Sequence, residues 1–305
     1  VAPGSAIKRD LLDAGCRALE KLGYKPFYLP SILDQDLYFA GSVRRRAREL
    51  EEMFERDEVR AIICARGGYG CNYLLRDLDL EKIRAHPKIF MGYSDITTLL
   101  TWFADQANLV TFHGPMVTKD FANGTVDLAT WSAATSGKSQ WEILAPPASS
   151  VVPLVPGSAS GILYGGCLSM LVASLGTEYA MQTEGTLLFI EDVAVKPYQI
   201  DRMLMHLKLA GKLDNVRGIV FGEMLDCAQP QEPRYTLMEV IKRVVGDLGI
   251  PVAYGLPSGH VSGENITLPL GISASLTVGE SVRLRMLEPA TAGVAASAHS
   301  GAPEK

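Results

Sequence analysis

An α/β fold in two parts is predicted, an N-terminal α/β domain built on a parallel sheet followed by a mixed α/β domain. Three observations predict it. Helical and strand-like patterns alternate through the first half, which implies parallel strands joined by helices. The runs "AIICA" (61–65), "KIFMGY" (88–93) and "LVTFHGP" (109–115) are apolar without alternation, as strands buried on both faces are. Between 144 and 160 the composition shifts to "LAPPASSVVPLVPGSAS", with four prolines and four serines, which reads as a linker.

The elements follow in order. "VAPGSAIKRD" reads as the end of a strand and a turn. "LLDAGCRALEKLG" sets Leu11, Leu12, Leu19 and Leu22 at helical spacing and stops on Gly23. "KPFYLP" is a short strand candidate, and "SVRRRARELEEMFERD" a charged surface helix with Ser42 as its cap. The strand 61–65 leads through "ARGGYG" into helix-like "CNYLLRDL". The strand 88–93 breaks into an apolar helix at Gly92, Tyr93, Ser94 and Asp95. Past the linker come a helix ("LSMLVASLG"), a strand ("TLLFIEDV"), a helix ("YQIDRMLMHLKLAG"), a strand ("GIVFGEM") and a helix ("LMEVIKRVVGDLG"). "NITLPLGISASLTVGESVRLRML" alternates in short pieces, as antiparallel hairpins do. The expected boundaries are an N-terminal domain over 1–144, a linker over 145–160, a C-terminal domain over 161–289 and a disordered tail over 290–305.

The totals exclude several classes. In 305 residues, 47% hydrophobic and 21% charged is ordinary for a soluble globular protein with a normal core. A net charge of −5 gives no general attraction to nucleic acid or anionic membrane, so neither is expected as a partner. No apolar run approaches the roughly 20 residues of a membrane helix. The chain opens on Val1 rather than Met, so a few upstream residues are expected to be missing. Five cysteines (Cys16, Cys64, Cys71, Cys167, Cys227) without Cys-x-x-Cys spacing argue against a zinc ribbon and a disulfide framework, and suggest a reducing compartment. The five histidines are scattered, and neither a metal site nor a cofactor is expected.

Ser94, at a strand-to-helix corner, has two readings: a helix cap, or a nucleophile at a sheet's carboxyl edge beside the positive end of a helix. The α/β-hydrolase elbow wants Gly two residues later, where Ile96 stands. "ARGGYG" reads as a plain loop needing positive φ, a phosphate loop or an oxyanion hole. Its spacing fits neither common phosphate motif. Glu191 and Asp192 end an apolar strand, either facing water or orienting a histidine. His260, in "GLPSGHVSGEN", is an exposed loop residue or a general base, and His113 in "TFHGP" competes for that role.

Taken together, "ARGGYG", "GYSDIT", "TFHGP", "LLFIEDV", "YQIDRML" and "LPSGH", in this order, resemble the LD-carboxypeptidase family, to which microcin C self-immunity peptidases are related. The resemblance runs from about Val1 to Leu287. It implies a serine peptidase with an N-terminal α/β domain and a C-terminal domain of swivelling-barrel type, the site lying at their junction. It implies Ser94 as nucleophile, Glu191 as orienting carboxylate and His260 as base, with backbone N–H groups of Gly68 and Asp95 as oxyanion donors. The implied substrate is a murein tetrapeptide losing its terminal D-alanine, in a cytoplasmic homodimer without cofactor. Arg66 is a candidate for gripping the substrate carboxylate, with a structural role as its alternative. A peptide–nucleotide amide is the rival substrate, and a nucleotide or anion binder using "RGGYG" the rival of another class. One departure is "GGC" (165–167), where the family often shows "GGN".

Overall fold

The computed structural model describes residues 1–145, 149–228 and 234–292. In chain order the helices are α1 (Arg9–Lys21), α2 (Val43–Glu55), α3 (Leu80–Ala85), α4 (Thr97–Ala107), α5 (Leu128–Thr135), α6 (Leu168–Ala173), α7 (Pro197–Leu209) and α8 (Leu237–Val245). The strands are β1 (Ala61–Ile63), β2 (Ile89–Gly92), β3 (Thr111–His113), β4 (Trp141–Ala145), β5 (Val152–Val155), β6 (Gly157–Cys167), β7 (Thr186–Glu191), β8 (Gly218–Gly222), β9 (Val252–Leu256), β10 (Leu268–Leu270), β11 (Ile272–Val278) and β12 (Val282–Met286).

Two mixed sheets result. The first runs β1-β2-β3-β10, its first three strands parallel and β10 antiparallel to β3. The second has eight strands in the order β4-β12-β11-β6-β7-β8-β9-β5, with β6 to β9 parallel and the flanking pairs antiparallel. All six residues of β7 are buried, because the strand separates two cores. Leu187 and Phe189 enter the core shared with the first half, while Leu188 and Ile190 face the core under α6, α7 and α8. Period-two alternation with apolar residues on both faces is what produces an unbroken apolar run.

Local signals act as physics requires. Ser42 Oγ accepts from Arg45 N–H at 3.3 Å and starts α2. Thr236 and Glu239 form a reciprocal capping box on α8. The hairpin β11–β12 appears where short alternating pieces predicted one.

Four expectations are corrected. "KPFYLP" is irregular rather than strand before its prolyl turn; exposed Phe27 lies under the Arg56 guanidinium, 4.8 Å from its centroid. Helix α2 is not wholly a surface helix, since Arg46 and Glu49 are buried. The 145–160 stretch, read as a linker, carries β5 and the start of β6. Pro153 is tolerated there because β5 is an edge strand. The division at 144/145 is crossed in both directions, with β4 serving the eight-stranded sheet and β10 the first sheet. Residues 146–148 of the expected linker, and the expected tail from residue 293 onward, lie outside the described residues. Among the described residues no helix is long and apolar enough to cross a membrane.

Candidate active site

The parallel strands end at one edge, and the loops that leave β1, β2, β7 and β9 supply the predicted groups. After β2 the chain turns sharply. Ser94 has φ of 64°, a left-handed conformation that costs a serine energy and holds it at the apex of the corner. Its hydroxyl caps neither the short 3-10 turn Ser94–Ile96 nor α4, so the cap reading fails. The loop after β1 lies directly against it. A Cβ on Gly67 would stand 2.9 Å from Ser94 Cβ and 3.2 Å from its Oγ, so only glycine lets that backbone approach.

Gly68 is exposed, and its N–H has no partner among the described residues. Asp95 N–H belongs to the first turn of a helix, where no intrahelical acceptor exists. The loop is fixed by side chains. Arg46 Nη1 donates to Gly70 O at 2.9 Å, and Cys71 N–H donates to Asp95 Oδ2 at 2.9 Å. One peptide unit, Gly70–Cys71, is thus held at its oxygen by a buried guanidinium and at its nitrogen by a buried carboxyl group. Burial raises the Asp95 pKa, against the hydrogen bonds it accepts. Arg66 is exposed, and its Nη1 donates to Ala6 O at 3.1 Å.

Glu191 ends β7 fully buried. Its Oε2 accepts from His260 Nδ1 at 2.7 Å and from His260 N–H at 3.1 Å. Its Oε1 lies 3.6 Å from His113 Nε2, beyond good hydrogen-bond length, and neither buried atom has a closer hydrogen-bond partner among the described residues. Burial disfavours the carboxylate, but His113 and His260 outweigh it and bring the Glu191 pKa down to about 2. The approach of the His260 loop depends on Gly259, at φ 94°; a Cβ there would meet Glu191 Cδ and His113 Cε1 at 2.7 Å.

The two histidines separate clearly. His113 is wholly buried, its Nδ1 2.9 Å from Ser258 Oγ. His260 is partly exposed, and its ring meets Tyr93, the residue before Ser94, edge to face at 5.1 Å. Asp192 does not face water either. Its carboxylate accepts from Ser169 N–H at 2.8 Å and Oγ at 2.6 Å, fixing the start of α6. Cys167 pairs with Glu191 across β6 and β7, and its N–H donates to Thr97 Oγ1 at 3.0 Å, joining the two sheets' elements beside the site. Its thiol is buried, and burial with Glu191 and Asp192 pushes its pKa well up.

Sequence reasoning missed Arg46, hidden within a charged run, and Asp120, Asn265 and Ser258, which carry no pattern at all. Their only local signal is being polar in otherwise buried segments. Among the described residues no group of three His, Cys, Asp or Glu side chains is set to hold a metal ion.

This arrangement has relatives. Residues 1–114 match the LD-carboxypeptidase N-terminal domain and residues 160–276 the LD-carboxypeptidase C-terminal domain. The chain is 39% identical over 282 residues to a probable murein peptide carboxypeptidase of Bacillus subtilis, covering 92% of this chain and 88% of that protein. It is 28% identical to the Escherichia coli microcin C7 self-immunity protein MccF, over 90% and 88% of the two chains. The crystal structure of muramoyltetrapeptide carboxypeptidase from Oxalobacter formigenes superposes with a TM-score of 0.83 at 28% identity, over 95% and 98% of the two chains. Matched domains in both halves and near-complete coverage of a 39% identical relative place this chain in the LD-carboxypeptidase family.

Proposed function

We propose that this protein is a serine carboxypeptidase that releases terminal D-alanine from murein tetrapeptides, cutting between the L-centre of the diamino acid and the D-residue. Ser94 is the nucleophile, His260 the base and Glu191 the carboxylate that orients it. The observation that carries this reading is the 2.7 Å bond from His260 Nδ1 to a fully buried Glu191, beside the strained Ser94 corner.

The chemistry follows from that bond. An ionised carboxylate only accepts, so His260 Nδ1 carries the hydrogen and the neutral ring keeps its lone pair on Nε2. Nε2 takes the Ser94 proton as Oγ attacks the scissile carbonyl. The N–H groups of Gly68 and Asp95 receive the developing oxyanion. His260 then protonates the departing D-alanine amine, and a water, deprotonated by the same nitrogen, releases the acyl group. Arg66 keeps further N–H groups beyond its bond to Ala6 O for the substrate carboxylate. The five free thiols suit a reducing cytoplasm, and a homodimer is the proposed assembly.

A second reading keeps the machinery and changes the substrate. Tyr69, next to Gly68, forms an exposed ring cluster with Tyr38 and Tyr73 around Phe39. Such a ledge suits a planar ring, as in an aminoacyl-nucleotide amide.

The test is D-alanine release from L-Ala-γ-D-Glu-diaminopimelate-D-Ala, followed by mass spectrometry for the native protein and Ser94→Ala, with thermal melts of both. Release lost in the variant at an unchanged melt supports nucleophile and substrate together. Undiminished release by Ser94→Ala sinks the triad. A native protein inert on this peptide but active on an aminoacyl-nucleotide amide replaces the substrate.

A further inference from the structure

The loop carrying His260 is gripped by a buried amide. Asn265 Oδ1 accepts from Gly259 N–H at 2.9 Å, and its Nδ2 donates to Gly259 O at 3.2 Å. Both backbone groups of the residue before His260 are therefore held by one side chain. The same Nδ2 donates to Asp120 Oδ1 at 3.2 Å, and Asp120 Oδ2 accepts from Met116 N–H at 2.8 Å. Asn265 and Asp120 are both fully buried.

Asp120 lies in a π-helical turn, Val117–Phe121, a local form often found at functional sites. That turn is stitched to the end of β1: Val117 N–H donates to Cys64 O at 3.2 Å, and Thr118 N–H to Ala65 O at 3.0 Å. Ala65 opens the glycine loop that lies against Ser94. A continuous line of bonds thus runs from the Ser94 side of the site through Asp120 and Asn265 to His260.

We propose that Asp120 and Asn265 are positioning residues that set the His260 imidazole against the Ser94 corner. The proposal rests on the triad reading above. Neither side chain needs to touch substrate. Glu191 fixes the ring from behind, and the amide fixes the peptide from which the ring springs. Losing the amide leaves the N–H and the O of Gly259 without partners, and the loop shifts to find new ones. A shift approaching 1 Å costs about 10²-fold in rate.

The experiment compares native protein, Asn265→Ala, Asn265→Asp and the exchange Asp120→Asn/Asn265→Asp. The readouts are kcat, KM, thermal melts and the imidazole Nδ1–H resonance of His260. The expected result for Asn265→Ala is a kcat lower by about 10²-fold with KM nearly unmoved, and a shifted or broadened His260 resonance. Asn265→Asp sets two carboxyl groups face to face and falls similarly. The exchange restores one amide donor and one carboxylate acceptor across the contact, with Gly259 O still lacking its donor, and recovers up to about tenfold over Asn265→Asp without reaching native kcat. Native kcat and an unmoved resonance in Asn265→Ala overturn the proposal, as does an exchange no better than Asn265→Asp at similar melting temperatures. If Asn265→Ala does not fold, that last comparison decides. A native protein inert on the tetrapeptide sinks the substrate reading alone, because the resonance needs no substrate and still judges the positioning role.

Discussion

Gly259→Ala is the most demanding single-atom test of the site. The added Cβ meets Glu191 Cδ and His113 Cε1 at 2.7 Å, short of ordinary 3.4 Å contact by about 0.7 Å. Neither neighbour can swing away, since both side chains are fully buried. Alanine must also hold φ near 94°, which costs about 1–2 kcal/mol. Overpacking of a close-packed interior adds about 1–3 kcal/mol. At roughly 2–4 °C per kcal/mol, the value for large single-chain proteins, melting falls by about 4–20 °C. The protein relieves the clash by backing the 259–260 peptide off Glu191, which lengthens the His260–Glu191 bond and misaims the proposed base. A displacement approaching the 0.7 Å deficit lowers kcat by about tenfold to 10²-fold while KM changes little. Steady-state kinetics on the tetrapeptide and a calorimetric melt read both quantities. A variant with kcat within about threefold of native and an unchanged melt would refute the claim that loop backbone and buried carboxylate are in forced contact.

Other expectations follow from the same geometry. Glu191 has its folded pKa lowered to about 2 from a usual 4.5. Its stabilisation of about 3 kcal/mol is therefore present above pH 4.5 and lost as pH falls toward 2; acid melts of Glu191→Gln should lack that component, and identical acid profiles would contradict it. Asp95→Ala removes the acceptor of Cys71 N–H and should cost about 1–3 kcal/mol with a marked loss of kcat. Asp95→Asn keeps an acceptor and should stay closer to native; equal losses in both variants would argue against the anchor role. Ser94→Gly should be inactive yet melt higher than Ser94→Ala, because glycine relieves about 1 kcal/mol of left-handed strain. A lower melt for the glycine variant would mean the corner is not strained.

Much of the proposed site was legible because its signals are local. The strand, break and helix around Ser94 show in a dozen residues, and the order of six short motifs supplied Glu191 and His260. The choice between His260 and His113 was not local. Both sit in glycine-flanked loops or at strand ends, and Tyr93 touches both rings; burial and the distance to Glu191, 2.7 Å from His260 against 3.6 Å from His113, part them. A strand-end carboxylate such as Asp192 usually faces water, one of the two readings its sequence allows; β7 is central, so its end remains interior. The polar clamps were invisible for a similar reason. Asp120 and Asn265 meet across 145 residues of sequence, and a single Asn or Asp carries no periodicity. Arg46 was hidden by its neighbours, since a run of arginines on a helix normally points to solvent. Proline misled at 145–160, where it marks an edge strand rather than a tether.

The crossing of β4 and β10 between sheets has a consequence for synthesis. While the chain emerges from the ribosome, β1, β2 and β3 can assemble early, but the free edge of β3 stays open until Leu268–Leu270 arrives. An uncovered edge is a template for unwanted pairing with other nascent chains. The same delay leaves the proposed triad incomplete, because the strand that seals the edge emerges just after His260. Closure of the sheet and arrival of the proposed base are therefore nearly one event, late in translation.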